Sequence, residues 1–131
     1  MGENTVTKTV LIIDDSSSVR QRISGVLGPA GFAIVEASDG ISGAEQIRER
    51  QDLALVLCDV NMPRMNGLDM LDSVKAELAE RRLPIVMLTT EGQPDAMARA
   101  RQAGAKGWIV KPFQEHLLLG AVHRLTQSVA R

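Results

Sequence analysis

A chain of 131 residues, 44% apolar, 24% charged and only 2% aromatic, is long enough for one domain with a sizeable core, and that core has to be aliphatic. A formal net charge of −1 excludes a general electrostatic pull toward nucleic acid or anionic membranes. The single cysteine, Cys58, excludes an internal disulfide; it lies in an apolar run and reads as a small buried hydrophobe.

The opening residues MGENTVTK hold no apolar stretch that could serve as a signal peptide. Val6 stands where an N-myristoylation signal following Gly2 wants Ser or Thr. No apolar run approaches membrane-spanning length. The expectation is a soluble, cytoplasmic protein that binds neither nucleic acid nor membrane.

Short apolar runs then recur, each followed by a stretch with helical spacing. TVLII at 9–13 leads into Val19, Ile23, Val26 and Leu27 on one helix face, with N-caps on offer at Ser16 to Ser18 and a stop at Gly28-Pro29. FAIVE at 32–36 precedes Ile41, Ala44 and Ile47. LALVLC at 53–58 precedes Leu68, Leu71, Val74 and Leu78. PIVML at 84–88 precedes Pro94, suited to a first helical turn, then the stripe Ala96, Met97, Ala100, Ala103, closed by Gly104. GWIV at 107–110 precedes Leu117, Leu118, Ala121, Val122 and Leu125, an amphipathic helix expected to end near Val129. Strand–helix repeated five times with short connections predicts an α/β fold, a parallel sheet covered by helices on both faces. Nothing reads as a linker or a second domain. A single domain over 1–131 is expected, with its core at about 8–127 and no room for an output domain.

Ligands of such sheets bind outside the carboxyl ends of the strands. The polar residues at those ends are Asp14 and Asp15, then Asp59, then Thr89, Thr90 and Glu91, then Lys111 followed by Pro112. Adjacent carboxylates repel, and burial makes each costlier. A hard divalent cation would compensate them. Magnesium keeps several waters and takes few protein oxygens, so Asp14, Asp15 and Asp59 could hold it. A carboxylate nucleophile, a metal, a hydroxyl and an ammonium are the parts for phosphoryl transfer, and a carboxylate ionised at neutral pH needs no base.

IIDDSSSVR, LCDVNMPRMNG, MLTTEG and GWIVKPF together resemble the receiver domain of bacterial response regulators, over about residues 8–127. The nearest likeness is to the stand-alone chemotaxis type. The resemblance implies a five-stranded parallel sheet in the order 2-1-3-4-5. It implies that Asp59 accepts a phosphoryl group from a sensor histidine kinase or phosphotransfer protein. Asp15 would bind magnesium directly, Asp14 through water, and Asn61 through its backbone carbonyl. Thr89 would hydrogen-bond the phosphoryl group and Lys111 would pair with one of its oxygens. A cis bond between Lys111 and Pro112 and a turn glycine at Gly67 also match. Asn61 and Glu91 would set the access of water, hence the rate of dephosphorylation. The expected output surface for a downstream protein comprises the fourth helix, fifth strand and fifth helix. Trp108 departs from the Tyr or Phe usual at the switch position. Its side chain is expected near the sheet edge, facing the fourth helix.

Other readings use the same residues. A haloacid-dehalogenase-type phosphatase also works through an aspartyl phosphate. It would place its nucleophile on the first core strand with a second Asp two residues on, and here Asn61 stands at that place. Flavin binding would need a glycine- and hydroxyl-rich phosphate loop where Asp14 and Asp15 stand. A binding module that is never phosphorylated would not need the intact site. Taken singly, Asp14-Asp15 reads as a helix start, and Lys111 as a solvated charge. His116 and His123 are two turns apart, about 10.5 Å along a helix, too far for one metal, and read as solvated. Arg81-Arg82 and Arg99/Arg101 read as solvated helix surfaces, and Met62, Met65 and Met70 as core or loop packing.

Overall fold

Strand β1 (Thr9–Ile13) is buried along its whole length, as an apolar run at the centre of a sheet must be. Its side chains alternate between two cores. Val10 and Ile12 enter one, Leu11 and Ile13 the other. The computed structural model describes residues 7–90 and 94–127. After β1 come α1 (Ser17–Leu27), β2 (Ala33–Ala37), α2 (Gly40–Glu49), β3 (Leu53–Asp59), α3 (Gly67–Arg81), β4 (Ile85–Thr89), α4 (Pro94–Gln102), β5 (Gly107–Val110) and α5 (Glu115–Thr126). All strand pairs are parallel, in the order β2-β1-β3-β4-β5. This is the architecture the sequence leads one to expect.

The period of two along the strands sorts the helices. Leu55 and Leu57 of β3 and Val86 and Leu88 of β4 share a core with Ile23, Leu27, Leu118 and Val122, so α1 and α5 cover that face. Val56, Cys58, Ile85 and Met87 point the other way, onto Ile47, Leu71, Val74 and Ala100 of α2, α3 and α4.

Caps fix where the helices start. Ser16 Oγ accepts from the Val19 N–H at 3.3 Å, Asp39 Oδ1 from Ser42 at 2.8 Å and Asn66 Oδ1 from Asp69 at 2.9 Å, the N-cap arrangement that satisfies otherwise unpaired helix amides. Gly104, at φ 103°, turns the chain after α4, a conformation that favours glycine.

Three expectations need correction. Ile41 is exposed, because α2 turns Gly40, Gly43, Ala44 and Ile47 inward and Ile41 lies off that stripe. Leu117 is exposed because α5 packs through Leu118, Val122 and Thr126, the next row round. The last helix ends at Thr126 rather than near Val129: Gln127 is already extended, and the Lys8 ammonium takes up the Thr126 carbonyl. Residue 129 itself lies outside the described residues.

Candidate functional site

The chain leaves β1 at Asp14, whose N–H still donates to Ala37 of β2 at 3.1 Å. That ladder bond holds the Asp14 side chain at the centre of the sheet edge, and Asp14 is fully buried. Its Oδ1 accepts from the Ser16 N–H at 2.9 Å. Its Oδ2 accepts from Lys111 Nζ at 3.2 Å. Asp15, one residue on, is exposed. Asp59 closes β3 and is 4% exposed; its Oδ1 receives the Asn61 N–H at 3.4 Å and lies 3.3 Å from Lys111 Nζ. Asp14, Asp15 and Asp59 each offer an oxygen within 4.8 Å of the others.

Thr89 ends β4, buried, and its carbonyl accepts from the Lys111 N–H at 2.6 Å. The β4–β5 pairing thus places Lys111 at the same sheet edge as Thr89. The Lys111–Pro112 bond is cis, as expected. Gly67 is required by close approach: a Cβ there would stand 2.1 Å from the Asp59 carbonyl oxygen. Trp108 is half-buried and packs on the α3–α4 side, beside a cavity of about 220 Å³ lined by Met97, Ala100, Arg101 and Ala105. It faces the fourth helix as anticipated. Its indole N–H is buried without a hydrogen-bond partner among the described residues. Glu91 lies outside the described residues.

The electrostatics follow from burial. Desolvation pushes the Asp59 carboxyl above its ordinary range and the Asp14 charge adds to it, while Lys111 and the Asn61 N–H pull back. Desolvation alone would lower the Lys111 ammonium, but the two carboxylates outweigh it and hold it above its usual value. Burial pushes the Cys58 thiol far up, so it is inert despite its place beside Asp59. Lys111 therefore compensates part of the buried negative charge that the sequence reading left to a metal alone. Three carboxylates against one ammonium still leave a deficit. Clustered hard oxygens with one exposed member fit a magnesium ion that keeps some of its water.

Several contacts around the site and between the helices beside it are not legible in the sequence. Arg20 donates to the Asp14 carbonyl at 2.6 Å and to Glu36 at 2.7 Å. Arg64, in the loop after Asp59, pairs with the buried Asp39. Arg81 is no solvated surface residue: its guanidinium donates to the Ile47 carbonyl, and to the Arg50 carbonyl at 2.6 Å, tying α3 to the end of α2. Arg99 bridges Asp69 and Asp72 at 2.9 and 2.6 Å. The only sequence signal among these is Asp39, an Asp just before an apolar helical stripe.

Residues 10–123 match the family of the response regulator receiver domain. The chain is 37% identical over 110 residues to the chemotaxis protein CheY1 of Helicobacter pylori, covering 83% of this chain and 89% of that one. It is 34% identical over 121 residues to the chemotaxis protein CheY of Pseudomonas aeruginosa, covering 92% and 97%. The solved structure of Vibrio cholerae chemotaxis protein CheY4 superposes with a TM-score of 0.84 at 35% identity, covering 92% of this chain and 99% of that one. Among the readings the sequence left open, this selects phosphorylation-activated signalling through an acidic pocket of the kind that generally binds magnesium, over the phosphatase and the flavoprotein. The buried carboxylates at the carboxyl edge of a 2-1-3-4-5 sheet, the lysine between them and the match over most of the length agree: the chain belongs to the response regulator receiver domain family.

Proposed function

We propose that Asp59 is the phosphoryl acceptor, fed by a histidine kinase or phosphotransfer protein, and that the phosphorylated chain signals to a downstream protein without turning over an external substrate. The observation that carries this is the Lys111 ammonium, 3.2 Å from Asp14 and 3.3 Å from Asp59. In the transfer, an Asp59 oxygen forms a bond to phosphorus, the phosphorus–nitrogen bond of the donor's phosphohistidine breaks, and the imidazole leaves with the electron pair. Lys111 moves its charge from the carboxylates to a phosphoryl oxygen, and Thr89 donates its hydroxyl to another. Asp14, Asp15, Asp59 and the Asn61 carbonyl are the groups we assign to magnesium. The bound ion supplies positive charge where the phosphoryl oxygens gather.

A cavity of about 260 Å³ lined by Val19, Arg22, Thr90, Pro112 and Phe113 adjoins Lys111, and gives a donor's side chain a way in. The output surface we assign is α4–β5–α5. There Val110 and Leu117 are 47% and 60% exposed, beside a groove of about 380 Å³ that Trp108 also lines. Exposed apolar side chains around a groove suit a protein partner.

The test is incubation with magnesium and acetyl phosphate. One added phosphoryl group by intact mass, mapped to Asp59 and absent from Asp59→Asn, is expected. Stoichiometric labelling of the wild type that maps to another residue and persists there in Asp59→Asn overturns the assignment.

A further inference from the structure

We infer that the ion pair between Arg64 and Asp39 is a latch that positions the loop from Asn61 to Asn66, so that Arg64 is a positioning residue for the metal ion at the phosphoacceptor site. This rests on the reading above that the Asn61 carbonyl is a metal ligand.

The loop leaves Asp59 and must reach the start of α3 within a few residues. Its return end is pinned by the Gly67 N–H donating to the Val60 carbonyl at 2.8 Å and by Gly67 lying against the Asp59 carbonyl. Its middle is a tight turn. The Met65 N–H donates to the Pro63 carbonyl at 2.8 Å, closing three residues about Arg64, whose φ is 68°. A turn of this hand is rare and strained, and a non-glycine residue at its centre adds to the cost. Such conformations persist where the surroundings over-determine them, and they gather at functional sites.

Asp39 and Gly40 are the surroundings here. The Asp39 side chain is 5% exposed and its Oδ2 accepts from Arg64 Nη2, while its Oδ1 is spent on the α2 cap. The Met65 carbonyl presses so closely on Gly40 that a Cβ there would lie 2.6 Å from it. Asp39 needs no arginine to cap α2. The arginine, itself 67% exposed along its side chain, reaches back across the chain to the buried Asp39 carboxylate. A side chain used this way fixes where the loop lies.

Glycine accepts φ 68° without strain, so Arg64→Gly separates two accounts. If the side chain only decorates the loop, this variant binds magnesium as well as wild type, or better. If it is a latch, magnesium affinity falls about three- to ten-fold, the scale of one ordinary net hydrogen bond, as suits a pair whose arginine is largely exposed. Asp39→Asn keeps a good cap but loses the ion pair, and falls by the same factor. Because the two residues act as a unit, the double variant loses no more than either single. Magnesium binding is read by titration calorimetry. Hydrogen exchange of the Met65 amide is read in metal-free protein and is expected to quicken in both variants. Wild-type affinity with unchanged Met65 exchange in Arg64→Gly overturns the latch. A wild-type protein that binds no magnesium overturns the metal-site reading instead. The latch then stands if Met65 exchange quickens in the variants and falls if it does not.

Discussion

The Lys111 ammonium lies 3.3 Å from the Asp59 carboxylate and 3.2 Å from that of Asp14, joining the ends of β1, β3 and β5 through one side chain. Asp14 is fully buried and Asp59 is 4% exposed. Removing that cation leaves two desolvated carboxylates facing each other. Breaking a buried pair this way costs about 3 kcal/mol. Lys111→Met, which keeps the length and apolar stem of the side chain, should therefore lose about that much stability in urea denaturation without metal. Magnesium should restore part of the loss, because a second cation then compensates the same charge. Equal stability of Lys111→Met and wild type in chelator would mean that Asp14 is held by the Ser16 N–H alone.

The pH dependence of Asp59 runs opposite to that of most carboxylates. Burial and the neighbouring Asp14 raise its folded value above the ordinary 3.8, so the folded chain holds the proton more tightly than the unfolded chain does. Stability from this group is greatest when it is protonated, below pH 3.8. It is lost as pH rises from there through the raised folded value. At neutral pH the charged form is a net cost. Metal-free Asp59→Asn should then be more stable than wild type at pH 7, by about 1 kcal/mol. The gap should narrow as pH falls toward 4. Lys111 acts on the other limb: its raised folded value adds stability that is full below pH 10.5 and disappears as pH rises through the folded value. Urea melts of both proteins across pH 4 to 11 check each limb.

Asp14, Asp59 and Lys111 could be placed from sequence because strand ends are legible. An apolar run of five or six residues stops, and the polar residue after it lies at the sheet edge. The order of strands came from the family resemblance, not from periodicity, which cannot say which strand neighbours which. Leu117 and Ile41 are exposed although they fit the helical spacing, because the spacing marks a stripe and not its edge, and each lies beside the row that is buried. Arg64 and Arg81 carry no local signal. Their partners, Asp39 and the carbonyls of Ile47 and Arg50, lie at least 25 residues away in sequence, and only the fold brings them into reach.

Gly67 should tolerate no side chain. A Cβ would lie 2.1 Å from the Asp59 carbonyl oxygen and 3.0 Å from the Val60 Cα, and both are backbone that cannot move without shifting the end of β3. Overpacking against such atoms costs about 3 kcal/mol. Gly67→Ala should lower stability by roughly that amount and slow labelling by acetyl phosphate, because Asp59 and the Asn61 loop move together. Gly120, with nothing within 4 Å of a built Cβ and its place in the interior of α5, is the control. Gly120→Ala should gain up to about 1 kcal/mol through helix propensity alone. Thermal melts and mass spectrometry read both outcomes.

Trp108 is the sole tryptophan, so intrinsic fluorescence reports one place, half-buried between the site and α4. Its ring borders a cavity of about 220 Å³ beside Met97, Ala100 and Ala105, and its indole N–H is buried without a partner among the described residues. A buried unpaired donor carries a free-energy cost, and a neighbouring cavity gives the ring somewhere to go. Both favour an indole that changes place when the site fills. Trp108 pairs with Met87, and Thr89 with Val110, in the same β4–β5 ladder, so on the function proposed above a shift of Thr89 toward a phosphoryl group would reach Trp108 along paired backbone. Magnesium with beryllofluoride, a stand-in for the phosphoryl group, should change the intensity or wavelength of Trp108 emission and its quenching by acrylamide. Thr89→Ala should reduce that change. Trp108→Phe, which removes the unpaired donor, should bind beryllofluoride at least as tightly as wild type, read by thermal shift, because the larger polar ring no longer weights the balance between conformers. Complete phosphorylation by mass with fixed emission and fixed quenching would make Trp108 a static packing residue and move the switch elsewhere on the α4–β5–α5 face.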